Sequence, residues 1–129
     1  MYSARVETEF AAAHFLDSYH GKCENLHGHN YRVRLHVRGE SLDEGGMLAD
    51  FSVLKKILRS VCGDLDHSNL NDMDCFMNNP SAERIAKFIF DKVKEKLPDF
   101  GIDNELLWAV EVFETPTSMA RYELGKIAK

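Results

Sequence analysis

Cys23, His27 and His29 fall within the run CENLHGHNY, where a thiol precedes an H-G-H pair by a short spacer. A thiolate can serve as base, nucleophile or metal ligand. Two imidazoles at i and i+2 on a strand point the same way and can converge on one cation. Catalytic zinc takes three protein ligands and leaves a position for water or substrate. A third ligand is therefore needed, and His14, His20, His36 and His67 are the remaining histidines. His14 follows the small residues Ala11, Ala12 and Ala13 at the end of a strand-like segment. If the first two strands form a hairpin, His14 and His29 both lie at its loop end, which favours His14. His20 sits in the intervening loop and remains within reach. His36 lies further along, on a face crowded with arginines.

Two metal arrangements stay open on these residues. In one, His14, His27 and His29 hold zinc, and Cys23 stands beside it as a base whose thiolate the cation favours. In the other, Cys23 joins the three histidines in a closed, structural site. The chain is long enough to build a core without a metal staple, and it lacks the C-x-x-C knuckle of structural zinc modules. Both points favour the open site over the closed one. The plainest reading of H-G-H is a turn with two surface histidines, and the thiol upstream argues against it.

A second group is LDHSNLND, with Asp66 and His67 adjacent. A carboxylate beside an imidazole fixes its tautomer and raises its basicity. Sequence neighbours pair poorly, so a third group is expected to complete this set. The same pair also occurs as an ordinary turn feature. Near the C-terminus, VEVFETPTS carries Glu111 and Glu114. Their parity along a strand sends them to opposite faces, unless one leaves the strand. Glu114, at the strand end before Pro116, is suited to accept two parallel N–H donors from a planar ring. Glu111 is expected to be a solvated or subunit-facing charge.

The elements that must carry these groups follow from periodicity. VETEFAAAHF reads as a first strand with Val6, Thr8 and Phe10 on one side. HNYRVRLHVRG alternates Tyr31, Val33, Leu35 and Val37 against Arg32, Arg34, His36 and Arg38, a strand with one wet face. Asp50 caps a helix with Phe51, Leu54, Ile57, Leu58 and Val61 on its stripe. A second helix begins at NPSAE, with Asn79 as the cap and Pro80 at its first position. Ile85, Phe88, Ile89 and Val93 form its buried face, and it ends near Pro98. Two strands close the chain. The order β-β-α-α-β-β defines an α+β domain with both helices on one face of an antiparallel sheet. The opposite face is only partly polar, so other subunits are expected to cover it.

The 129 residues suit a single domain, 1–129. A net charge of −5 argues against a nucleic-acid surface. No apolar run approaches membrane length, and the charged start MYSARVETEF is unlike a signal peptide. The expected compartment is the cytoplasm. Three irregularly spaced cysteines do not form a disulfide framework.

FAAAHFL, CENLHGHNY, LADFSVLK, LDHSNLN, NPSAERIA and VFETPTSMARY occur together in that order. The chain thereby resembles the 6-pyruvoyltetrahydropterin synthase and 6-carboxytetrahydropterin synthase family from about Val6 to about Tyr122. The resemblance implies the tunnelling fold: β-β-α-α-β-β subunits joined into a trimeric barrel, two trimers stacking as a hexamer, with active sites at subunit interfaces. It implies zinc on His14, His27 and His29, a catalytic Cys23, an Asp66–His67 pair and a pterin-anchoring Glu114. Ser81 and Glu83 become candidates for the pterin pocket. The C-x-x-x-H-G-H spacing resembles the bacterial queuosine-pathway enzymes, since the animal biopterin enzymes have a longer one. A folate-linked branch carries glutamate where Cys23 stands. The implied activity is conversion of 7,8-dihydroneopterin triphosphate to 6-carboxytetrahydropterin, acetaldehyde and triphosphate. Pyruvoyl-tetrahydropterin formation is the alternative.

Overall fold

Tyr31, Val33, Leu35 and Val37 are fully buried, and they form the inner face of β2 (His27–Gly39). The computed structural model describes residues 1–17 and 25–125. β1 (Tyr2–His14) pairs antiparallel with β2 along its whole length, from Tyr2 opposite Gly39 to His14 opposite His27. Val6, Phe10 and Ala12 of β1 are buried beside β2's apolar row. This register follows from period-2 patterning, because a slip by one residue turns every apolar side chain outward.

α1 (Phe51–Gly63) begins where expected. Asp50 Oδ1 accepts the Ser52 N–H at 2.8 Å. Leu54, Ile57, Leu58 and Val61 are buried, but Phe51 is 57% exposed, because it starts the first turn beyond the sheet-facing stripe. α2 (Ala82–Lys96) is capped by Ser81, whose Oγ accepts the Arg84 N–H at 3.3 Å. The expected cap, Asn79, instead bonds Asp17, so the helix starts past Pro80 rather than at it. A 3-10 turn over Leu97–Phe100 ends the helical segment. Ile85, Ile89 and Val93 are buried and Phe88 only partly so. Both helices share one core with β1 and β2. Each fully buried aliphatic side chain there contributes roughly 1.5–3 kcal/mol.

β3 (Ser68–Asn69) is a short addition to the expected order. It runs parallel to β1 at Ala12–Ala13, so the sheet is mixed rather than purely antiparallel. The chain leaving α1 returns along β1's outer edge, and two bonds hold it there. The His67 N–H donates to the Ala11 carbonyl at 2.6 Å, and Asp66 Oδ1 accepts the Ala11 N–H at 2.9 Å. β4 (Leu107–Thr115) and β5 (Ser118–Glu123) complete the sheet in the order β3-β1-β2-β4-β5. Between β4 and β5 the register shifts after Phe113. Phe113 faces Met119 and Thr115 faces Ser118, which leaves Glu114 as the extra residue of a bulge. Bulges re-aim side chains near functional sites.

The sheet face away from the helices is a lattice of ion pairs. Arg32 reaches Glu9 at 3.0 Å and Arg34 reaches Glu7 at 3.3 Å. Of the two expectations for Glu111, a solvated or a subunit-facing charge, the first does not hold. Glu111 is 5% exposed, with His36 Nε2 at 2.6 Å and Arg121 Nη2 at 2.7 Å. Burial pushes its carboxyl pKa up. Hydrogen bonds from Arg121 and His36, together with their charges, outweigh that and hold it below the ordinary value. No helix among the described residues is long and apolar enough to cross a membrane.

Candidate metal centre

The β1–β2 register sets His14 directly opposite His27 and places His29 opposite Ala12. All three imidazoles lie on the helix-facing side of the sheet, where the apolar rows of β1 and β2 end. Ring centroids stand 4.7 Å (His14–His27), 5.0 Å (His14–His29) and 4.8 Å (His27–His29) apart. One nitrogen from each ring lies within 4.8 Å of the others. On one tetrahedral zinc, with bonds of about 2.0–2.1 Å, such atoms stand roughly 3.4 Å apart. Below the cluster Phe10 and Tyr31 stack at 4.8 Å, and the Tyr31 ring meets His14 edge-on at 5.9 Å. This aromatic floor separates the polar cluster from the aliphatic core.

The hydrogen bonds of two rings define their donor atoms. His14 Nδ1 lies 2.8 Å from the Pro80 carbonyl oxygen, and His27 Nδ1 lies 2.8 Å from that of Asn25. A carbonyl only accepts, so each Nδ1 carries the hydrogen and each Nε2 presents its lone pair. That is the arrangement of metal-binding imidazoles, whose second nitrogen donates to a fixed acceptor. The donor set therefore fits a metal of zinc's type. His36 faces the other side of the sheet, bonded to Glu111, and does not join the cluster. Cys23 and His20 lie outside the described residues.

Glu114 reaches the same place from the bulge in β4. Its Oε1 is 3.8 Å from His14 Nε2 and its Oε2 is 4.0 Å from His29 Nε2. The carboxylate is about a third exposed, so one side faces the histidines and the other remains open to a ligand.

Asp66 and His67 occupy the outer edge of β1. His67 Nδ1 lies 3.0 Å from Asp66 Oδ2, an ion-pair distance without hydrogen-bond alignment, as expected for sequence neighbours. His67 has φ +56°, in the left-handed region that non-glycine residues seldom adopt. The third partner of the set is the Ala11 N–H, on the other oxygen of Asp66. The His67 ring is 81% exposed. An open groove of about 580 Å3 runs from His67–Asn69 across Ala11–Ala13 and Gly28 to His29. Ser81 Oγ is committed to the α2 cap and Glu83 is exposed in its first turn, so neither is drawn to the histidines.

The model of the 6-pyruvoyl tetrahydropterin synthase family matches residues 3–125. The chain belongs to this family. Among relatives of this family member, a 6-carboxy-5,6,7,8-tetrahydropterin synthase of Synechocystis sp. is 45% identical over 121 residues, covering 90% of this chain and 88% of the relative. One from Bacillus subtilis is 39% identical over 128 residues, covering 93% and 84%. A solved structure of Caenorhabditis elegans 6-pyruvoyl tetrahydropterin synthase matches with a TM-score of 0.82 at 31% identity, over 96% of both chains. The resemblance read from six ordered motifs is borne out, and the three-histidine cluster of this pterin synthase homologue is compatible with a metal site.

Sequence reasoning missed the layer behind the histidines: the Pro80 carbonyl on His14, and Asn71 and Asn79 on the chain that follows it. The asparagine-rich stretches NLND and NNPS were its visible signal, since Asn side chains bind backbone in irregular segments.

Proposed function

We propose that this protein is a zinc-dependent 6-carboxytetrahydropterin synthase of queuosine-type 7-deazaguanine biosynthesis. It converts 7,8-dihydroneopterin triphosphate and water to 6-carboxytetrahydropterin, acetaldehyde and triphosphate, a carbon–carbon lyase reaction carried by a single domain in the cytoplasm. The observation that carries this reading is the cluster of His14, His27 and His29, two of them with Nδ1 committed to a carbonyl. The names of the Synechocystis and Bacillus relatives support the carboxy product.

Zinc, when bound, supplies Lewis acidity that lowers the pKa of a substrate hydroxyl and stabilises enolate-like charge. His14, His27 and His29 would hold it. Cys23, as thiolate, takes a proton from a side-chain carbon of the substrate. His67, oriented by Asp66, returns or relays protons. Glu114 accepts N–H donors from the pterin edge and so holds the side chain beside the histidines, converting an encounter into a positioned reaction. Ser81 and Glu83, which follow the Pro80 carbonyl that holds His14, are the candidates to border the pterin pocket.

The 81% exposure of His67 supports assembly into trimeric barrels and hexamers with sites at subunit interfaces, because a relay acting in water would lose its direction. No nucleic acid or membrane partner enters this reading.

The second reading is 6-pyruvoyltetrahydropterin formation, a carbon–oxygen lyase reaction, favoured by the likeness to the Caenorhabditis elegans structure. Incubating purified zinc-loaded protein with dihydroneopterin triphosphate, followed by mass analysis, separates them. A 6-carboxy product supports the first reading and a 6-pyruvoyl product the second. Absence of turnover by zinc-bound protein would leave a structural site made of Cys23 and the three histidines.

A further inference from the structure

The chain leaving β1 is gripped at three nearby points by the segment between β3 and α2. His14 Nδ1 donates to the Pro80 carbonyl at 2.8 Å. At Phe15 a single side-chain amide replaces a strand: Asn71 Oδ1 accepts the Phe15 N–H at 2.8 Å, and Asn71 Nδ2 donates to the Phe15 carbonyl at 2.9 Å. At Asp17, Asn79 Oδ1 accepts the backbone N–H at 2.7 Å. β3 has ended by this point, so Asn71 continues edge pairing that the backbone no longer supplies.

The gripping segment is itself held. Asn71 Nδ2 also reaches the Asn78 carbonyl at 3.2 Å, and the Ser81 N–H donates to the Asn79 carbonyl at 2.8 Å. Arg84 Nη1 donates to the Phe76 carbonyl at 2.7 Å. Met77 and Asn78 both take positive φ, +51° and +61°, a backbone cost that persists only where surrounding contacts over-determine it. An ordinary loop closure would need fewer bonds and would not place one of its carbonyls on a buried imidazole.

We infer that Asn71, Asn79 and the Pro80 carbonyl form the positioning layer of the histidine cluster, fixing the tautomer of His14 and the backbone of Phe15 and Asp17 that follows it. This rests on reading the cluster as a metal site. The requirement at position 71 is an amide, because only a group that both donates and accepts satisfies Phe15. Asn71→Asp keeps the acceptor, loses the donor and sets a carboxylate against carbonyl oxygens.

The test measures zinc affinity by chelator competition, and the visible absorption of the cobalt(II)-loaded protein, in wild type, Asn71→Asp, Asn79→Ala and Asn104→Ala. Asn104 Nδ2 donates to the Lys94 carbonyl at 3.2 Å, at the far end of α2, and serves as a control for simple loss of a hydrogen bond. Loss of groups that orient metal ligands weakens metal binding roughly 10- to 100-fold. That loss is expected for Asn71→Asp and Asn79→Ala, with an altered cobalt spectrum, while Asn104→Ala lowers the melting temperature and leaves affinity at the wild-type value. Wild-type affinity and spectrum in folded Asn79→Ala would overturn the inference, and this milder variant decides alone should Asn71→Asp fail to fold. A wild-type protein that binds no zinc would instead sink the metal reading itself, and the inference with it, before any variant is compared.

Discussion

Glu114 Oε1 stands 3.8 Å from His14 Nε2, although β2 lies between their strands, β4 and β1, in the sheet. The sequence places Glu114 away from the H-G-H strand pair, yet the end of β4 brings its carboxylate to the Nε2 atoms of His14 and His29. Glu114→Gln therefore has two expected effects. An N–H then faces the N–H donors of a pterin, and leaving one unpaired costs about 1–3 kcal/mol, roughly tenfold to more than hundredfold in affinity. Zinc stays bound through its three imidazoles, but more weakly, because a negative charge beside the cation is gone. Titration with sepiapterin or neopterin, and chelator competition, read the two effects separately. Unchanged pterin affinity would return Glu114 to the ordinary strand-end charges.

His14 and His27 contribute differently to the fold. His14 is 2% exposed and bonded to Pro80, whereas His27 is partly exposed and bonded to a carbonyl only two residues away. His14→Ala is expected to destabilise the metal-free protein by about 2–4 kcal/mol through a cavity and an orphaned carbonyl. His27→Ala should change it by less than about 1 kcal/mol. Both should lose the rise in melting temperature that zinc gives a site binding only the folded state. A zinc-induced rise retained in His27→Ala would remove that residue from the ligand set.

What the sequence makes visible is what depends on local period. β2 reads directly because four apolar residues alternate with four polar ones, and Asp50 caps α1 because both donors on its carboxylate, the Ser52 N–H and hydroxyl, come from the helix's own first turn. The start of α2 does not read directly. Asn79 and Ser81 are both good caps, and the choice is made by a distant group, the Asp17 N–H, that claims Asn79. The histidine triad is legible because one hairpin register sets it. The surroundings of Asp66 and His67 are not, since neither the left-handed backbone at His67 nor the Ala11 N–H on Asp66 follows from local sequence. The burial of Glu111 does not read directly either, because its two partners come from different strands, His36 on β2 and Arg121 on β5.

The Glu111 cluster makes stability depend on acid. Its carboxyl pKa is held below the ordinary value of about 4.3. Its stabilisation is therefore complete above that value and is lost as pH falls through the depressed folded-state pKa. Glu111→Gln should destabilise by about 1–3 kcal/mol near pH 7, by weakening hydrogen bonds to charged groups. The gap between wild type and variant should narrow as pH falls below the ordinary carboxylate range. Melting temperatures of both proteins across that range check this. A gap that stays constant through the acid range would show that Glu111 contributes by packing rather than by charge.

Cys23 decides between the open and closed metal sites. As a base acting on the reacting carbon, it stabilises the transition state and contributes nothing to metal binding. Cys23→Ala should then keep one zinc per chain and its state of assembly while losing roughly 10²–10⁴ in turnover. As a fourth ligand it would bind zinc as thiolate, and its removal would open a coordination position and lower both metal affinity and melting temperature. Cys62 offers no substitute for either role. It is buried in the core, and burial, reinforced by the charge of Asp66, pushes its thiol pKa up to about 12, so it stays protonated and inert. Zinc content, sedimentation and pterin product formation measured on the same preparation of Cys23→Ala separate the two roles. Loss of zinc together with unfolding would establish the closed site of one cysteine and three histidines and withdraw the base from the mechanism.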